Sequence, residues 1–278
     1  MAGTLYVVAT PIGNLGDLTP RAASVLRSVS AVAAEDTRHT LKLFAHMGAP
    51  SPVMISLPAF DERGRVEQVI ARLAGGEDVA LCTDAGTPGI SDPGEALVAA
   101  AWAAGATVVP IPGACAAVAA LSASGLPSAR FMFVGFLPRK GGARAEALRD
   151  LAAVNATLVL YEAGNRTADT LRDLAAALGE RTAVVARELT KLHEELARGS
   201  LTELANRFAG EVRGEVTVVV GPPAEGAIAP RTAEDLDDEL RRRLAAGERP
   251  TDVAKSVARE RGLRRADVYG RIEELKNG

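Results

Sequence analysis

Several residue types are scarce in this chain, and each scarcity excludes a class of protein. Aromatic residues make up 4% of the 278 positions, which argues against recognition of nucleic acid by rows of stacked rings. Two cysteines, Cys82 and Cys115, make no disulfide framework. With only three histidines the sequence shows no metal-ligand cluster, so we expect no resident metal ion.

Long apolar runs are also missing. The longest, residues 96–104, is about half of the ~20 residues that a membrane-spanning helix needs. The first residues lack the basic segment and the apolar stretch of a secretory signal. We therefore expect a cytoplasmic protein that does not associate with membranes.

An excess of positive charge is absent as well, since the formal net charge is −3. The charge is uneven, however: residues 1–240 hold 21 basic and 29 acidic side chains, and residues 241–278 hold 11 and 6. An acidic region such as residues 1–240 does not attract a polyanion over its whole surface. Any contact with nucleic acid is expected to be local, in the basic tail and in the stretch 130–149.

The remaining composition, 47% hydrophobic and 24% charged, is that of an ordinary globular protein. Short apolar runs alternate with helical stretches, which predicts an α/β fold with a largely parallel sheet. We predict an N-terminal α/β domain over 1–137, a second over 138–221, a linker over 221–230 and a helical extension over 232–278. The extension resembles a helix-turn-helix with its turn at Gly262–Leu263. The predicted strands are 5–9, 31–34, 53–56, 79–82, 107–111, 131–136, 157–161, 182–187 and 215–220.

Polar and glycine-rich loops follow several of these strands, where open α/β sheets bind ligands. Loop 10–17 precedes an acidic residue, Asp36, by about the spacing of a dinucleotide site, but its glycines are spaced G-x-x-G. It therefore predicts a different small-molecule site, or a plain strand-to-helix turn. In loop 83–92, Gly86 and Gly89 allow close approach of a ligand, and Asp84 can accept hydrogen bonds from one. Asp84 alternatively forms an Asx turn, and Asp92 is predicted to begin a helix in a capping box with Glu95.

Residues 35–39 place two acids, an arginine and a histidine at a strand end. The alternative is that Asp36 or Thr37 caps the next helix and Arg38 is solvated. His39 alone is interpreted as a surface hydrogen-bonding residue rather than a catalyst. Residues 187–191 have the same ambiguity, since a surface ion-pair cluster explains them equally well.

Six segments together resemble one branch of a known family. ATPIGNLGDLTPRA, AAEDTRHT, TDAGTPGISDPG, PIPGACAAVAALSASGLPSARFMFVGFLPRK, YEAGNRT and ARELTKLHEE occur in this order. They are similar to the small-subunit ribosomal RNA methyltransferase branch of the tetrapyrrole methylase superfamily. The similarity covers about residues 4–221, and residues 232–276 resemble that branch's C-terminal extension.

The resemblance implies a homodimeric two-domain enzyme that binds S-adenosylmethionine (SAM) between its domains. It also implies methyl transfer to the ribose 2′-hydroxyl of a decoding-centre cytidine in 16S rRNA, within the 30S subunit. The cofactor-binding residues that it implies are Pro11, Gly13, Thr83, Asp84, Ala85, Gly86, Cys115, Ala116, Tyr161, Glu162, Gly214 and Thr217.

Methyl transfer to a hydroxyl benefits from a positioned proton acceptor. We predict Asp36 as this base, with Glu162 and Glu188 as alternatives, and Arg38 and Lys191 as contacts to phosphate or to the developing alkoxide. RNA docking is predicted at basic residues near the domain boundary and in the tail; in the alternative, the tail's charges pair with one another. The predicted RNA-binding residues are Arg139, Lys140, Arg264 and Arg265.

Two other functions stay open at this point. One is a C-methyltransferase of corrin or sirohaem synthesis, which shares the superfamily fold. The other is a non-enzymatic regulator that senses SAM in its body and reads nucleic acid with its helix-turn-helix.

Overall fold

The computed structural model describes residues 2–57, 62–210, 212–223, 233–261 and 263–277. The chain divides into two compact units, one made of Met1–Arg139 and Ala156–Gly221, the other of Lys140–Asn155 and Pro222–Gly278. Both sheets lie in the first unit. The domain boundaries at 137 and 221 stay a prediction, and most of the predicted linker lies outside the described residues.

The first sheet is parallel throughout, with the strand order β3-β2-β4-β1-β5. Its two faces are covered by helices, which explains why its central strands are apolar on both sides. Its strands are β1 (Thr4–Val8), β2 (Ala31–Ala34), β3 (Val53–Ser56), β4 (Val79–Cys82) and β5 (Thr107–Ile111). The covering helices are α1 (Pro20–Ser28), α2 (Thr37–His46), α3 (Glu62–Ala74) and α4 (Glu95–Ala103).

Two helix starts show how the local sequence decides the ends of these elements. Thr19 caps α1 by accepting a hydrogen bond from the Ala22 amide, as the Thr-Pro pair predicts. The predicted capping box at Asp92 is wrong, since α4 begins at Glu95 with Gly94 as its N-cap. Gly94 has φ = 135°, and a Cβ there would lie 2.8 Å from Leu81 Cδ2, so the entry needs glycine rather than a capping side chain.

The second sheet is mixed, with the order β6-β7-β10-β8-β9. Only the β6–β7 pair is parallel, and the remaining pairs are antiparallel. α5 (Ala116–Ser124) packs on one face through a buried cluster that includes Leu121, Val159 and Val219. The strands are β6 (Phe131–Phe136), β7 (Thr157–Ala163), β8 (Thr182–Arg187), β9 (Glu195–Ser200) and β10 (Glu215–Val220). The accompanying helices are α7 (Thr167–Leu178) and α8 (Leu201–Arg207).

The second unit is helical in its described part. It contains α6 (Gly141–Ala152), α9 (Ala233–Ala245), α10 (Pro250–Arg261) and α11 (Arg265–Asn277). The last three helices share an apolar core around Leu240, Val257 and Ile272. Gly262, in the predicted turn, lies outside the described residues. Among the helices described, none is long and apolar enough to cross a lipid bilayer.

Candidate functional site

The loops that follow β1, β4 and β5 are joined by hydrogen bonds at the carboxyl edge of the first sheet. Thr10 and Gly86 form a two-bond bridge, with N···O distances of 2.8 and 3.1 Å. The Thr87 hydroxyl donates to the Ala114 carbonyl at 3.1 Å, which ties the β4 loop to the loop after β5. This edge is where an open parallel sheet is expected to bind a ligand.

A first cavity of about 480 Å³ opens at this edge and reaches the second sheet. Its size lies within the range of sites for small molecules and cofactors. Apolar walls come from Ile12, Ile90, Phe136 and Leu189. At the second sheet the Tyr161 ring packs edge-on against Phe133 and Phe136, with ring centres 5.0 and 5.7 Å apart.

Carboxylates surround this apolar interior. Glu35, Asp84, Asp92 and Glu215 all line the cavity. Burial, together with the negative charges of Glu35, Asp84 and Glu215, raises the pKa of Asp92 to about 6. Burial likewise raises the pKa of Glu35. A cavity with mutually repelling acids around apolar walls suits a ligand that has both an apolar ring and positive charge.

A second cavity of about 440 Å³ lies beside the first and shares part of its lining. The shared residues are Ile12, Asp84, Ala85, Lys191 and Glu215. The part that belongs to the second cavity alone comes from the loop after β1, from α2 and from Thr83 directly after β4. These residues are Thr10, Pro11, Gly13, Leu15, His39, Thr40, Lys42, Leu43 and Thr83.

The predicted cofactor-binding residues divide between the two cavities. Pro11, Gly13 and Thr83 line the second cavity. The others line the first: Asp84, Ala85, Gly86, Cys115, Ala116, Tyr161, Glu162, Gly214 and Thr217. Loops that are far apart in sequence therefore meet around one pair of adjoining spaces.

Asp36, predicted as the base, caps α2 and is held by Arg38. Its carboxylate accepts the Arg38 amide at 2.9 Å and is bracketed by the guanidinium, at 3.0 Å from Nε and 2.5 Å from Nη2. The guanidinium holds the pKa of the Asp36 carboxyl well below its usual range. Among the described residues, neither Asp36 nor Arg38 belongs to the lining of either cavity.

Glu188 and Lys191 form a second ion pair, with Lys191 Nζ 2.9 Å from Glu188 Oε1 and 2.8 Å from Glu215 Oε2. The hydrogen bond from Lys191 lowers the pKa of Glu188. Burial alone would lower the pKa of Lys191, but its bonds to Glu215 and Glu188 outweigh burial and raise it. Lys191 lines both cavities, as a cation already shared between two acids.

Glu162 is buried, and its carboxylate is hydrogen-bonded to residues at the end of β7 and in α7. One oxygen accepts the Ala163 amide at 2.9 Å, and the other accepts the Thr170 hydroxyl at 2.6 Å. Arg166 lies 3.3 Å from the same oxygen. These bonds occupy both carboxylate oxygens, which makes Glu162 a positioning group rather than an available proton acceptor.

Backbone strain concentrates around the cavities. Among the described non-glycine residues, positive φ occurs at Ser91, Glu188 and Thr190, with φ of 66°, 51° and 67°. Ser91 lines the first cavity, and the other two precede Lys191 in the loop after β8. Such conformations persist where the surrounding structure fixes them, and they cluster at functional sites.

The predicted RNA-binding residues are all exposed. Arg139 and Lys140 follow β6 and precede α6. Arg264 pairs with Asp267 at 3.0 Å, and Arg265 begins α11. Several other arginines of the extension are also paired with acids: Arg241 with Asp238, Arg243 with Glu248 and Arg271 with Asp237.

Sequence reasoning missed three kinds of site residue. Ile12, Ile90 and Leu189 are apolar side chains that line the first cavity from loops. An apolar residue in an otherwise polar loop is the sequence feature that could have indicated them. Asp92 was assigned to a helix cap. His39 is exposed and hydrogen-bonded, to Asp84, as its interpretation as a surface residue predicts; what sequence reasoning missed is its place in the lining of the second cavity.

The fold and the site define a class of protein. The family model of the Tetrapyrrole (Corrin/Porphyrin) Methylases matches residues 4–205. Among solved structures, the uroporphyrin-III C-methyl transferase from Thermus thermophilus, complexed with S-adenyl homocysteine, has a similar fold. The TM-score is 0.56 at 22% identity, covering 79% of this chain and 97% of that one.

Curated relatives define the family within this class. "Ribosomal RNA small subunit methyltransferase I" of Synechocystis sp. is 46% identical over 99% of each chain. The protein of the same name from Xylella fastidiosa (strain Temecula1) is 48% identical over 96% of this chain and 98% of its own. The chain therefore belongs to the ribosomal RNA small subunit methyltransferase I family of the tetrapyrrole methylases, which confirms the predicted fold class and resemblance.

Proposed function

We propose that the protein transfers the methyl group of SAM to the ribose 2′-hydroxyl of a decoding-centre cytidine in 16S rRNA. The observation that carries this proposal is full-length similarity to relatives named for methylation of small-subunit rRNA. The first cavity supports it, because nine of the twelve residues that the family resemblance assigns to the cofactor line it. The proposed setting is the cytoplasm, with the assembled 30S subunit as substrate.

The residues of the first cavity fit SAM. The apolar walls suit an adenine ring, and the acids Glu35, Asp84, Asp92 and Glu215 suit the ammonium and sulfonium charges. Gly86 has φ = 82°, and Gly214 has φ = 89°, so both loops pass the cavity in conformations that favour glycine. When bound, SAM supplies an electrophilic methyl group on sulfur.

The protein's own contribution is to position the reactants. Methyl transfer is an in-line displacement, so holding the acceptor oxygen against the methyl carbon supplies much of the acceleration. The predicted cofactor residues of the first cavity would hold the donor. Lys191, at the junction of the two cavities, would stabilise negative charge that develops on the acceptor oxygen.

RNA would be held locally, at exposed basic side chains rather than over the whole acidic body. Arg139, Lys140 and Arg265 are the proposed contacts to phosphate. Arg264 has a smaller role in this proposal because Asp267 neutralises it. A homodimer is also proposed; exposed Phe131 and Met132 on β6, an edge strand of the second sheet, offer an apolar surface for it.

The test offers the purified protein radiolabelled SAM with three acceptors in parallel: 30S subunits, protein-free 16S rRNA and uroporphyrinogen III. We expect label in 16S rRNA from 30S subunits and background label in the tetrapyrrole. Transfer to the tetrapyrrole alone would overturn the proposal, and binding of SAM without transfer to any acceptor would favour a regulator.

A further inference from the structure

We propose that the second cavity receives the acceptor nucleotide and that His39, held by Asp84, takes the proton of the attacking hydroxyl. The inference rests on the proposed methyl transfer to ribose. It assigns the proton acceptor to an imidazole rather than to one of the carboxylates that the sequence suggested.

The geometry at His39 is that of an oriented base. Its Nδ1 lies 2.8 Å from Asp84 Oδ2. The other oxygen of Asp84 accepts the Asp36 amide at 3.0 Å, so the carboxylate is fixed at the start of α2. In the tautomer in which Nδ1–H donates this hydrogen bond to the Asp84 carboxylate, the lone pair of Nε2 is available to accept a proton. The His39 side chain is 51% exposed, so a substrate can reach it.

The position of the pair joins the two cavities. Asp84 lines both, whereas His39 lines the second together with Thr40 and Leu43 of the same helix. With the methyl donor in the first cavity, an acceptor in the second approaches it across this junction. His39 therefore lies in the cavity proposed for the acceptor and is bonded to a residue that also lines the cavity proposed for the donor.

The three carboxylates that the sequence suggested as bases are poorer acceptors. Asp36 is neutralised by Arg38, and Glu188 by Lys191. Glu162 has both oxygens bonded within the second sheet. The two acids that line the second cavity are also engaged, Asp84 with His39 and Glu215 with Lys191. In that cavity the imidazole is therefore the group proposed to activate the nucleophile.

Charge in the second cavity suits a nucleotide. Lys42 lines it and, in the part of the chain that the structure describes, has no ion-pair partner. Lys191 contributes a second cation, shared with Glu188 and Glu215. His39 interacts with Asp36 at the start of its own helix and with Glu35 and Asp84 at the strand ends. The other charged residues that line the same cavity are Lys42, Lys191 and Glu215. A phosphate beside Lys42 would hold the nucleotide with its ribose towards His39.

The chemical step balances without any further reactant. The hydroxyl oxygen forms a bond to the methyl carbon while the carbon–sulfur bond breaks and its electron pair stays on sulfur. The hydroxyl proton passes to His39 Nε2, and Asp84 stabilises the imidazolium that results. The imidazolium then releases the proton to solvent.

The first test compares His39→Asn with His46→Asn, a matched control on the exposed end of α2 outside both cavity linings. Loss of a general base typically costs 10²–10⁴ in rate. We expect kcat on 30S subunits to fall about 100-fold or more in His39→Asn. The Kd for SAM, measured by calorimetry, should stay within about twofold because His39 lies outside the donor cavity. His46→Asn should match the wild type.

The pH profile of kcat separates His39 from Asp92. A role of His39 as the base predicts that wild-type kcat falls on the acid side of the profile and that His39→Asn loses this acid limb. Asp92→Asn should keep it. Disappearance of the limb in Asp92→Asn but not in His39→Asn would overturn the proposal.

Chemical rescue gives an independent readout. Added imidazole should restore part of the activity of His39→Ala and leave His46→Ala unaffected. Wild-type kcat and an unchanged pH profile in His39→Asn would contradict the proposal. So would Mn²⁺ binding, seen by electron paramagnetic resonance, that depends on His39, because it would assign Asp36, His39 and Asp84 to a cation. Failure of the wild-type protein to methylate ribose would instead overturn the proposed function.

Discussion

The residues around Asp92 in the sequence predict a helix cap, whereas the structure places Asp92 in the lining of the first cavity. Asp-Pro-Gly-Glu is typical of a helix start, but Gly94 takes the cap position and Asp92 faces the first cavity. There it meets Glu35, Asp84 and Glu215, and burial with this like charge raises its pKa to about 6. Repulsion between these neighbouring carboxylates is unfavourable until a positively charged group binds among them. The site therefore prefers a cationic ligand.

A first prediction at this scale concerns pH and binding of SAM. Above about pH 6 Asp92 loses its proton, so the affinity for the cationic donor should rise as pH increases from 5 to 7.5. Calorimetry on the wild type and on Asp92→Asn checks this. The variant should bind more weakly at pH 7.5 and show a shallower pH dependence; identical curves for the two proteins would refute the role of Asp92.

A second prediction concerns Gly214. A Cβ there would lie 2.2 Å from Glu188 Oε1, and the residue has φ = 89°. Left-handed backbone costs a non-glycine residue about 1–2 kcal/mol, so Gly214→Ala should lower the free energy of unfolding by about that amount. It should also disturb the Glu188–Lys191 pair beside the site. Urea denaturation measures the loss, and Gly210→Ala, with open space around its Cα, is the control that should be nearly neutral.

At the scale of elements, the order of the strands creates the site. β2 and β4 are neighbours in the sheet, so the loops that follow them meet, and His39 contacts Asp84 across 45 positions of sequence. The strand positions were largely predictable from short apolar runs between turn residues. Strand order was not, because it depends on packing between helices far apart in the chain, and the His39–Asp84 contact was missed with it.

The element that sequence reasoning missed in the second sheet has a physical explanation. β9 (Glu195–Ser200) is an edge strand, and its residues alternate in exposure without the β-branched run of its neighbours. Its hydrogen bonds to β8 hold this segment as a strand, although its own sequence has little preference for one. The helix that follows was predictable, because Ser200 and Glu203 form the capping box that their spacing indicates.

A third prediction tests that capping box. Ser200 Oγ accepts the Glu203 amide at 3.2 Å, and Glu203 accepts the Ser200 amide at 2.8 Å. Ser200→Ala should lower the free energy of unfolding by about 1 kcal/mol, measured by denaturant titration. Ser122→Ala is the comparison: within the described residues its hydroxyl donates to the Ala119 carbonyl of the same helix, α5, and caps no helix start, so the loss should be smaller. Equal losses would contradict the capping account.

At the scale of the whole molecule, the net charge of −3 conceals two distributions. Acids gather at the first cavity, where a cation is expected, while much of the basic extension is neutralised by its own acids. The alternative in which the tail's charges pair therefore holds for several arginines. Composition could predict the excess of charge, but only the structure identifies which side chains remain available to RNA.

A fourth prediction follows for Arg265, an exposed residue without an ion pair in the described structure. Arg265→Glu should weaken binding to 30S subunits and reduce the slope of log affinity against log salt by about one. A glutamate at the start of α11 is favourable for the helix, so unfolding does not explain the loss. Arg265→Lys should keep the slope. A salt dependence unchanged by charge reversal would remove Arg265 from RNA docking.

The central claim, transfer to ribose in 16S rRNA, is tested most directly by locating the methyl group. Purified protein, SAM and unmethylated 30S subunits are incubated, and nuclease fragments of the 16S rRNA are analysed by mass spectrometry. The account predicts one additional methyl group on the ribose of a cytidine at the decoding centre, formed about 100-fold more slowly by His39→Asn over the initial part of the reaction. A methyl group on a base, or at a nucleotide outside the decoding centre, would contradict it.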